Sequence, residues 1–599
     1  VIVTIMPASA SMPTPNTPRN NASTRERSRR RPEREGEVIS GWSVGMECRL
    51  WCFGIYTIQW RRDAPAEWNV GTYIGPLPVP RGRFATGDVN GAARSCTVAH
   101  VFADAHRGGP PIIAAMLAAI RSAALLGIEA YDVTVEVDSA RGLPAWTIVG
   151  LPAGAVKESR ERVGAALLNS GFALPPRRIT INLAPADVRK DGTAFDLPIA
   201  LGILVATGQL PPDRVAGLVA MGELGLDGSL RAVRGALPVA RRVAGQPHST
   251  LVLPPANVAE ARLVSAATLS SPASLGALAC ALRDGSLPAA HHAEPIAAHD
   301  ADALDFADVV GQESAKRALE IAAAGGHNAL MVGPPGAGKT MLARRLPGIL
   351  PALEEPEALE VTAIHSVAGA LPKDGPKPLD RPFRAPHHTI SDAGLIGGGN
   401  PPRPGEVSLA HHGVLFLDEL LEFRRHVMEA LRQPMEDGRV VIARAAHTVT
   451  FPARFTLVAA MNPCPCGNAG DSTRPCHCAA GDIQRYRARL SGPMSDRIDL
   501  HVHVGAVGLR TLVAAPRGEH SARIRERVAA ARARQTARYR HTPHCSCNAQ
   551  APPRSLTAAN TLSPDARATL DHAAEHLVLT ARAYHRVLKV ARTIADLDG

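Results

Sequence analysis

Read for the spacing of its apolar positions, the chain changes character near residue 115. Before that point it is rich in Pro, Ser, Arg and Gly, with scattered Trp and Cys and no sustained period of 2 or 3.6. Residues 1–115 therefore predict no domain. With Val1 at the start and Met116 just ahead of the first patterned segment, they read as a disordered or non-native extension. Beyond Met116, "VTVEV" alternates as a strand does, and "RRITINLAP" reads as another. "AVKESRERVGAALLNSG" has the apolar spacing of a helix that stops at Gly171, and "FDLPIALGILVATG" is apolar enough for a buried helix closed by Gly208. These elements make an α+β module over 116–285. "LPAAHHAEPIAAHDADALD" has little core pattern and reads as a linker, 286–305.

The next module, 306–545, opens with a predicted helix over 314–324, the short apolar strand "ALMV" and a glycine-rich loop in direct succession. That order is the strand–loop–helix setting a phosphate-binding loop requires. A small helical lid follows over 546–599, and because Gly599 falls inside it, its last helices are expected beyond that point. The fold class is α/β: a phosphate-loop core with a parallel sheet, preceded by an α+β domain and followed by the lid.

The loop itself is "GPPGAGKT": Gly333, Pro334, Pro335, Gly336, Ala337, Gly338, Lys339 and Thr340. It fits G-x-x-x-x-G-K-[ST] at every position. Its glycines let backbone N–H groups turn inward around phosphate oxygens, and the helix beginning at Lys339 adds its positive end. Lys339 would reach the β- and γ-phosphates of ATP, and the Thr340 hydroxyl would ligate magnesium. About 80 residues on, "GVLFLDEL" reads as a buried strand from whose end Asp418 and Glu419 emerge. Asp418 can hold the magnesium through water, and Glu419 can polarise the attacking water. "FTLVAAMNP" is a third apolar strand, ending at Asn462. An Asn after a strand is usually a turn residue, but in this series its amide suits the orientation of a lytic water.

Charge and composition narrow the partners. A net charge of +11 makes polyanions plausible, while 4% aromatic residues weaken any case for broad base-stacking platforms. No apolar stretch reaches the roughly 18 to 20 residues a membrane helix needs, and no secretory signal is apparent. No membrane association is expected, and the reading is cytoplasmic, where the ten cysteines would stay reduced.

These motifs, followed by "LSGPMSDRIDL" at 490–500, resemble the AAA+ ATPases, and more closely the magnesium-chelatase-like ComM/YifB family. The resemblance runs from "MLAAIRSAALLGIEAYDVTVEV" through "GLPAWTIVGLPAGAVKESRERV", "FRAPHHTISDAGLIGGG" and "LRQPMEDGRVVIARAAHTVTFPARF" to "ARAYHRVLKVARTIADL". It implies that Arg497 in "SDRID" is an arginine finger reaching the nucleotide of a neighbouring subunit, and that Arg582 in "TARAYHR" is a second sensor on the lid. It makes "GRVVIARAAHTVTFP", 438–452, a hairpin pointed into a central pore, where Arg439 and Arg444 could touch DNA phosphates. β-rich "RVVIAR" and "HTVTF" support a hairpin independently, although it could serve packing alone.

The α+β module resembles the Lon-protease-type domain of family members. A working peptidase needs a serine nucleophile and a lysine base. Ala194 in "KDGTAFDLP" and Leu237 in "VRGALPVA" stand where these would be, so a scaffold or substrate-contact role is expected. The function implied by the resemblance is an ATP-hydrolysing hexameric motor on single-stranded or branched DNA, a branch-migration helicase in recombination and natural transformation. Motifs and composition alone reach only a phosphate-loop ATPase with a basic surface. A metal-insertion ATPase of the magnesium-chelatase type is the alternative, disfavoured by the N-terminal module. An ATP-dependent protease is a further one, disfavoured by Ala194 and Leu237.

The cysteines remain. "NPCPCGNAGDSTRPCHC" holds Cys464, Cys466, Cys476 and Cys478 as two Cys-x-Cys pairs. Such pairs can close a tetrahedral sulfur site, for which structural zinc is the usual occupant, or stand as four reduced thiols in a loop. Cys545 and Cys547 with His541 and His544 make a second, weaker candidate. Arg523, Arg527, Arg534 and Arg538 share a helix face, read as solvated in preference to a DNA contact.

Overall fold

The computed structural model describes residues 117–290, 304–372, 381–444, 448–470, 474–508, 518–543, 545–557 and 562–599, with the two-residue strand Val3–Thr4. The rest of the expected N-terminal extension lies outside the described residues, as do most of the expected linker and the hairpin tip, 445–447.

The first module is built on a mixed sheet of β1 (Leu117–Leu126), β2 (Glu129–Ala140), β3 (Ala145–Val149), β4 (Arg178–Ala184), β5 (Leu218–Ala220), β6 (Thr250–Val252) and β7 (Thr268–Ser270). Its order is β7-β6-β5-β1-β2-β4-β3. The stretch "LAAIRSAALL" that makes β1 favours helix by alanine content. It is a strand because it pairs antiparallel with β2 along its whole length, Leu117 opposite Asp138 and Leu126 opposite Glu129. That pairing places Ile120 in a core shared with Val133, Val135 and Val137. Two helices, α1 (Ser159–Asn169) and α2 (Asp196–Ala206), cover the sheet; α2 is the apolar segment expected to be buried, and nearly every residue of it is. A further helix, α3 (Ala236–Ala244), packs on β1, β2 and β6 and faces the second module.

The central sheet of the second module is made of β8 (Ala329–Val332), β9 (Phe383–Arg384), β10 (Val414–Leu417), β13 (Thr456–Met461) and β14 (Leu500–His503), ordered β14-β8-β13-β10-β9. All are parallel, with Val3–Thr4 alongside β14. Parallel strands covered on both faces must be apolar throughout, and "VLFL" of β10 is buried at all four positions. Between β10 and β13 the chain makes the antiparallel hairpin β11 (Arg439–Ala443) and β12 (Thr448–Pro452). Val440, Ile442, Val449 and Phe451 form its buried face, leaving Arg439 and Arg444 exposed.

The helices that matter for the site are α4 (Glu313–Gly325), α5 (Lys339–Arg345), α6 (Glu355–Ala368) and α7 (Ala480–Arg487). The C-terminal region is helical: α8 (Ser521–Tyr539), α9 (Pro564–His576) and α10 (Ala581–Asp598). It thus begins ahead of residue 546, where the sequence pattern starts the lid. The shared arginine face of α8 is neither solvated throughout nor left free for DNA. Arg527 pairs with Glu320 of α4 at 2.7 Å and with Glu519, and Arg538 and Arg534 hold Asp596 of α10. Only Arg523 of the four is simply exposed. These pairs join α4, α8 and α10, which pack on one another.

The two modules touch where α3 packs on α6, with the Gly235 N–H donating to the Ser366 carbonyl at 3.3 Å. The β1–β2 turn also meets the β11–β12 hairpin, since Gly127 lies against Val449. Among the described residues no helix is long and apolar enough to cross a membrane.

Candidate nucleotide site

Register builds the site. Val332 stands opposite Met461, and Leu417 opposite Ala459. The residues that follow these strands, Gly333, Asp418 and Asn462, therefore emerge at one edge of the sheet, the carboxyl ends where parallel α/β folds bind ligands. The phosphate loop passes directly into α5, and Gly336 and Gly338 take φ of +78° and +87°. A Cβ at either would meet nothing within 4 Å. These glycines are needed for their backbone conformation and not for room.

Lys339 is buried, and its ammonium donates to the carbonyls of Gly333 at 2.7 Å and Pro334 at 2.9 Å and to Asn462 Oδ1 at 3.2 Å. Burial holds its pKa below the ordinary value, an effect the carboxylates of Asp418 and Glu419 oppose. A polyphosphate at this point would favour the charged form. The Thr340 hydroxyl donates to Asp418 Oδ2 at 2.6 Å, so the hydroxyl and carboxylate that would share a magnesium ion already stand together. Pro335 to Met341, Asp418, Glu419, Met461 and Asn462 line a cleft of about 410 Å³.

Residues 305–512 match the family described as magnesium chelatase, subunit ChlI, and residues 135–257 match a second description, subunit ChlI of Mg-chelatase. Residues 518–599 match the C-terminal part of that subunit. The competence protein ComM of Haemophilus influenzae is 45% identical over 490 residues, which is 81% of this chain and 94% of that protein. The YifB protein of Salmonella typhimurium is 43% identical over 484 residues, 80% of this chain and 94% of YifB. This chain belongs to the ComM/YifB family of magnesium-chelatase-like AAA+ ATPases. The magnesium-chelatase 38 kDa subunit of Cereibacter sphaeroides is 28% identical over 174 residues, 26% of this chain and 52% of that subunit. The N-terminal module, which itself matches a ChlI description, thus does not set the chain apart from chelatase subunits. Membership in this family implies ATP and magnesium, and the donor set of Lys339, Thr340 and Asp418 fits both.

Of the expected site residues, those of the phosphate loop, Asp418, Glu419 and Asn462 come together. Arg497 and Arg582 come together elsewhere. Arg497 Nη2 lies 2.6 Å and Arg582 Nη2 2.8 Å from the same oxygen, Glu436 Oε1. They line a basic cleft of about 690 Å³ that also contains Arg454, Arg532 and Arg586 and shares no residue with the phosphate cleft. The Arg497 carbonyl accepts from Asn328, which precedes β8, whereas the phosphate loop follows β8. The four residues of that strand span roughly 13 Å at about 3.3 Å each.

Two contacts were not legible as roles. His388 Nδ1 lies 3.4 Å from Glu419 Oε2 and its ring meets Phe423 edge-on, so a histidine from the loop after β9 stands beside the acid. The other is the sharing of Glu436 by Arg497 and Arg582. "APHHT" and "PMEDG" hold these residues, but neither has a local pattern that names its partner. The second cysteine candidate is not assembled among the described residues: Cys545 Sγ bonds the Cys547 carbonyl, His541 pairs with Arg540, and His544 lies outside them.

Proposed function

We propose that this ATPase is a ring-forming motor, hexameric, that drives branch migration of DNA during recombination, including integration of DNA taken up in natural transformation, in the cytoplasm. The observation that carries the assembly is the placement of Arg497 at the opposite end of β8 from its own phosphate loop. An arginine there serves hydrolysis only if it faces the nucleotide of a neighbour. Arg582, on the same carboxylate, would act on that neighbour's site as well, which puts the second sensor beside the finger.

In each site, Lys339 and the loop N–H groups would bind the β- and γ-phosphates, Thr340 and Asp418 would hold magnesium, and Asn462 would orient the water that Glu419 polarises. Magnesium bound there supplies charge neutralisation of the phosphate oxygens. DNA as the substrate is supported by the competence-protein name of the Haemophilus relative, the net charge of +11, and the exposed Arg439 and Arg444 on the hairpin. The discriminating experiment measures ATP turnover with branched DNA, with a chelatase partner and with an unfolded protein. Stimulation by branched DNA alone is expected. Stimulation by the chelatase partner would favour metal insertion, the reading that the ChlI descriptions suggest.

The N-terminal module is taken as Lon-protease-like in fold and proteolytically silent. Ala194 and Thr193 line a cleft of about 360 Å³ whose basic residues are Arg189, Arg234 and Arg403. Asp191 and Glu223 also line it, but no lysine does, and guanidinium groups do not give up a proton near neutrality, so the serine–lysine pair of a Lon-type peptidase has no counterpart there. Leu237 is fully buried in α3 and does not line the cleft. Casein and peptide substrates should survive incubation with the protein and ATP. ATP-dependent cleavage that copurifies with the chain through successive columns would defeat this reading.

A further inference from the structure

The loop that leaves β13 carries Asn462 and then, two residues on, the first of the four clustered cysteines. Cys464 Sγ lies 3.3 Å from Cys466 Sγ and 3.7 Å from Cys476 Sγ, and Cys466 and Cys476 are 3.6 Å apart. Together with Cys478, all four sulfurs lie within 4.8 Å of one another. A disulfide would bring two sulfurs to about 2.05 Å and leave the others out. A zinc ion bound at about 2.3 Å to four sulfurs gives tetrahedron edges of about 3.8 Å. The three measured separations lie just below that value. A four-iron cluster needs its cysteines on a much larger tetrahedron.

A backbone donor completes the pattern. The Ala469 N–H donates to Cys464 Sγ at 3.2 Å. A backbone N–H aimed at a sulfur stabilises a thiolate beside a cation. Four neutral thiols this close would each need a proton directed at a neighbour and would gain little from such a donor.

The knot also touches the nucleotide site. Gly467 lies so close to the phosphate loop that a Cβ there would stand 2.6 Å from Pro335 Cδ, and its φ is +84°. Arg487 of α7 holds the Pro463 carbonyl at 3.1 Å, and Asn462 accepts from Lys339. We propose that Cys464, Cys466, Cys476 and Cys478 bind one structural zinc ion as four thiolates, and that this centre braces the Asn462 loop against Pro335 of the phosphate loop. The bracing half rests on the nucleotide reading of that loop; the metal half does not.

The test starts from the full chain purified under reducing conditions without chelator. Elemental analysis should find about one zinc per chain. An organomercurial should release it as four thiols react, and cobalt added to the demetallated protein should give thiolate-to-metal charge-transfer absorption. Cys476→Ser with Cys478→Ser, a pair in which neither residue is fully buried, should abolish both signals. Cys545→Ser with Cys547→Ser should keep both. Absence of zinc in the parent together with no cobalt absorption would overturn the site, and iron in place of zinc would overturn the assignment of the ion. For the bracing, a fluorescent ATP analogue should bind several-fold more weakly after zinc is removed and regain its affinity when zinc returns. Unchanged affinity would overturn the brace and leave the zinc site standing. A zinc-loaded chain that does not bind the analogue at all would overturn the nucleotide reading instead.

Discussion

The variant Glu419→Gln will retain ATP and magnesium and hydrolyse ATP at least about 10²-fold more slowly than the parent, because the carboxylate we assign as general base is lost while Thr340 and Asp418 remain. The structure separates the two acids cleanly. Asp418 is engaged by the Thr340 hydroxyl at 2.6 Å and by the Glu419 N–H at 3.0 Å, whereas Glu419 turns away at φ +51° and its carboxylate meets His388. Replacing the Glu419 carboxylate by an amide leaves the Asp418 contacts intact. Equilibrium binding of a labelled nucleotide, measured beside steady-state turnover, checks both halves. Hydrolysis at the parent rate would remove Glu419 from the role of base.

The second large effect concerns two inactive proteins that should repair each other. Arg497→Ala should bind ATP normally and hydrolyse it poorly, since an arginine finger is worth roughly 10³ to 10⁵ in rate where it acts on the transferring phosphoryl group. Lys339→Ala should fail at the phosphate loop, because the cation bonded to the Gly333 and Pro334 carbonyls and to Asn462 is gone. In a mixed ring, some interfaces join an intact loop to an intact finger. ATPase activity titrated across mixing ratios, with DNA present, should rise to a maximum at intermediate ratios. A flat, inactive titration with mixed rings confirmed by native mass measurement would mean that Arg497 serves its own chain or none. Release of Arg497 from Glu436 is part of the same expectation, since a guanidinium held by that carboxylate cannot also face a γ-phosphate.

Family membership and local pattern carry different parts of this account. The strands "ALMV", "VLFL" and "TLVAAM" could be read from their apolar runs, and so could the glycine loop, the acidic pair and the asparagine that follow them. Strand β1 could not be read from its composition, because its alanines favour helix and only the partner strand β2 makes the extended form worthwhile. The arginines of α8 were legible as one face. Their use was not, because Glu320 and Asp596 lie in elements 207 and 58 residues away from the arginines they meet.

What the sequence by itself determined is the set of groups whose geometry is local: the phosphate loop turning into α5, the acidic pair at the end of β10, and the close spacing of the Cys-x-Cys pairs. Each depends on the backbone of a few successive residues, and local conformational preference is strong enough to specify it. The tertiary structure decided the pairings between distant elements. It put His388 on Glu419, drew Arg497 and Arg582, the latter 146 residues from Glu436, onto one carboxylate, and set Gly467 against Pro335. Such contacts follow from strand order and register, which fix where side chains far apart in the chain meet, and no short-range pattern encodes that order.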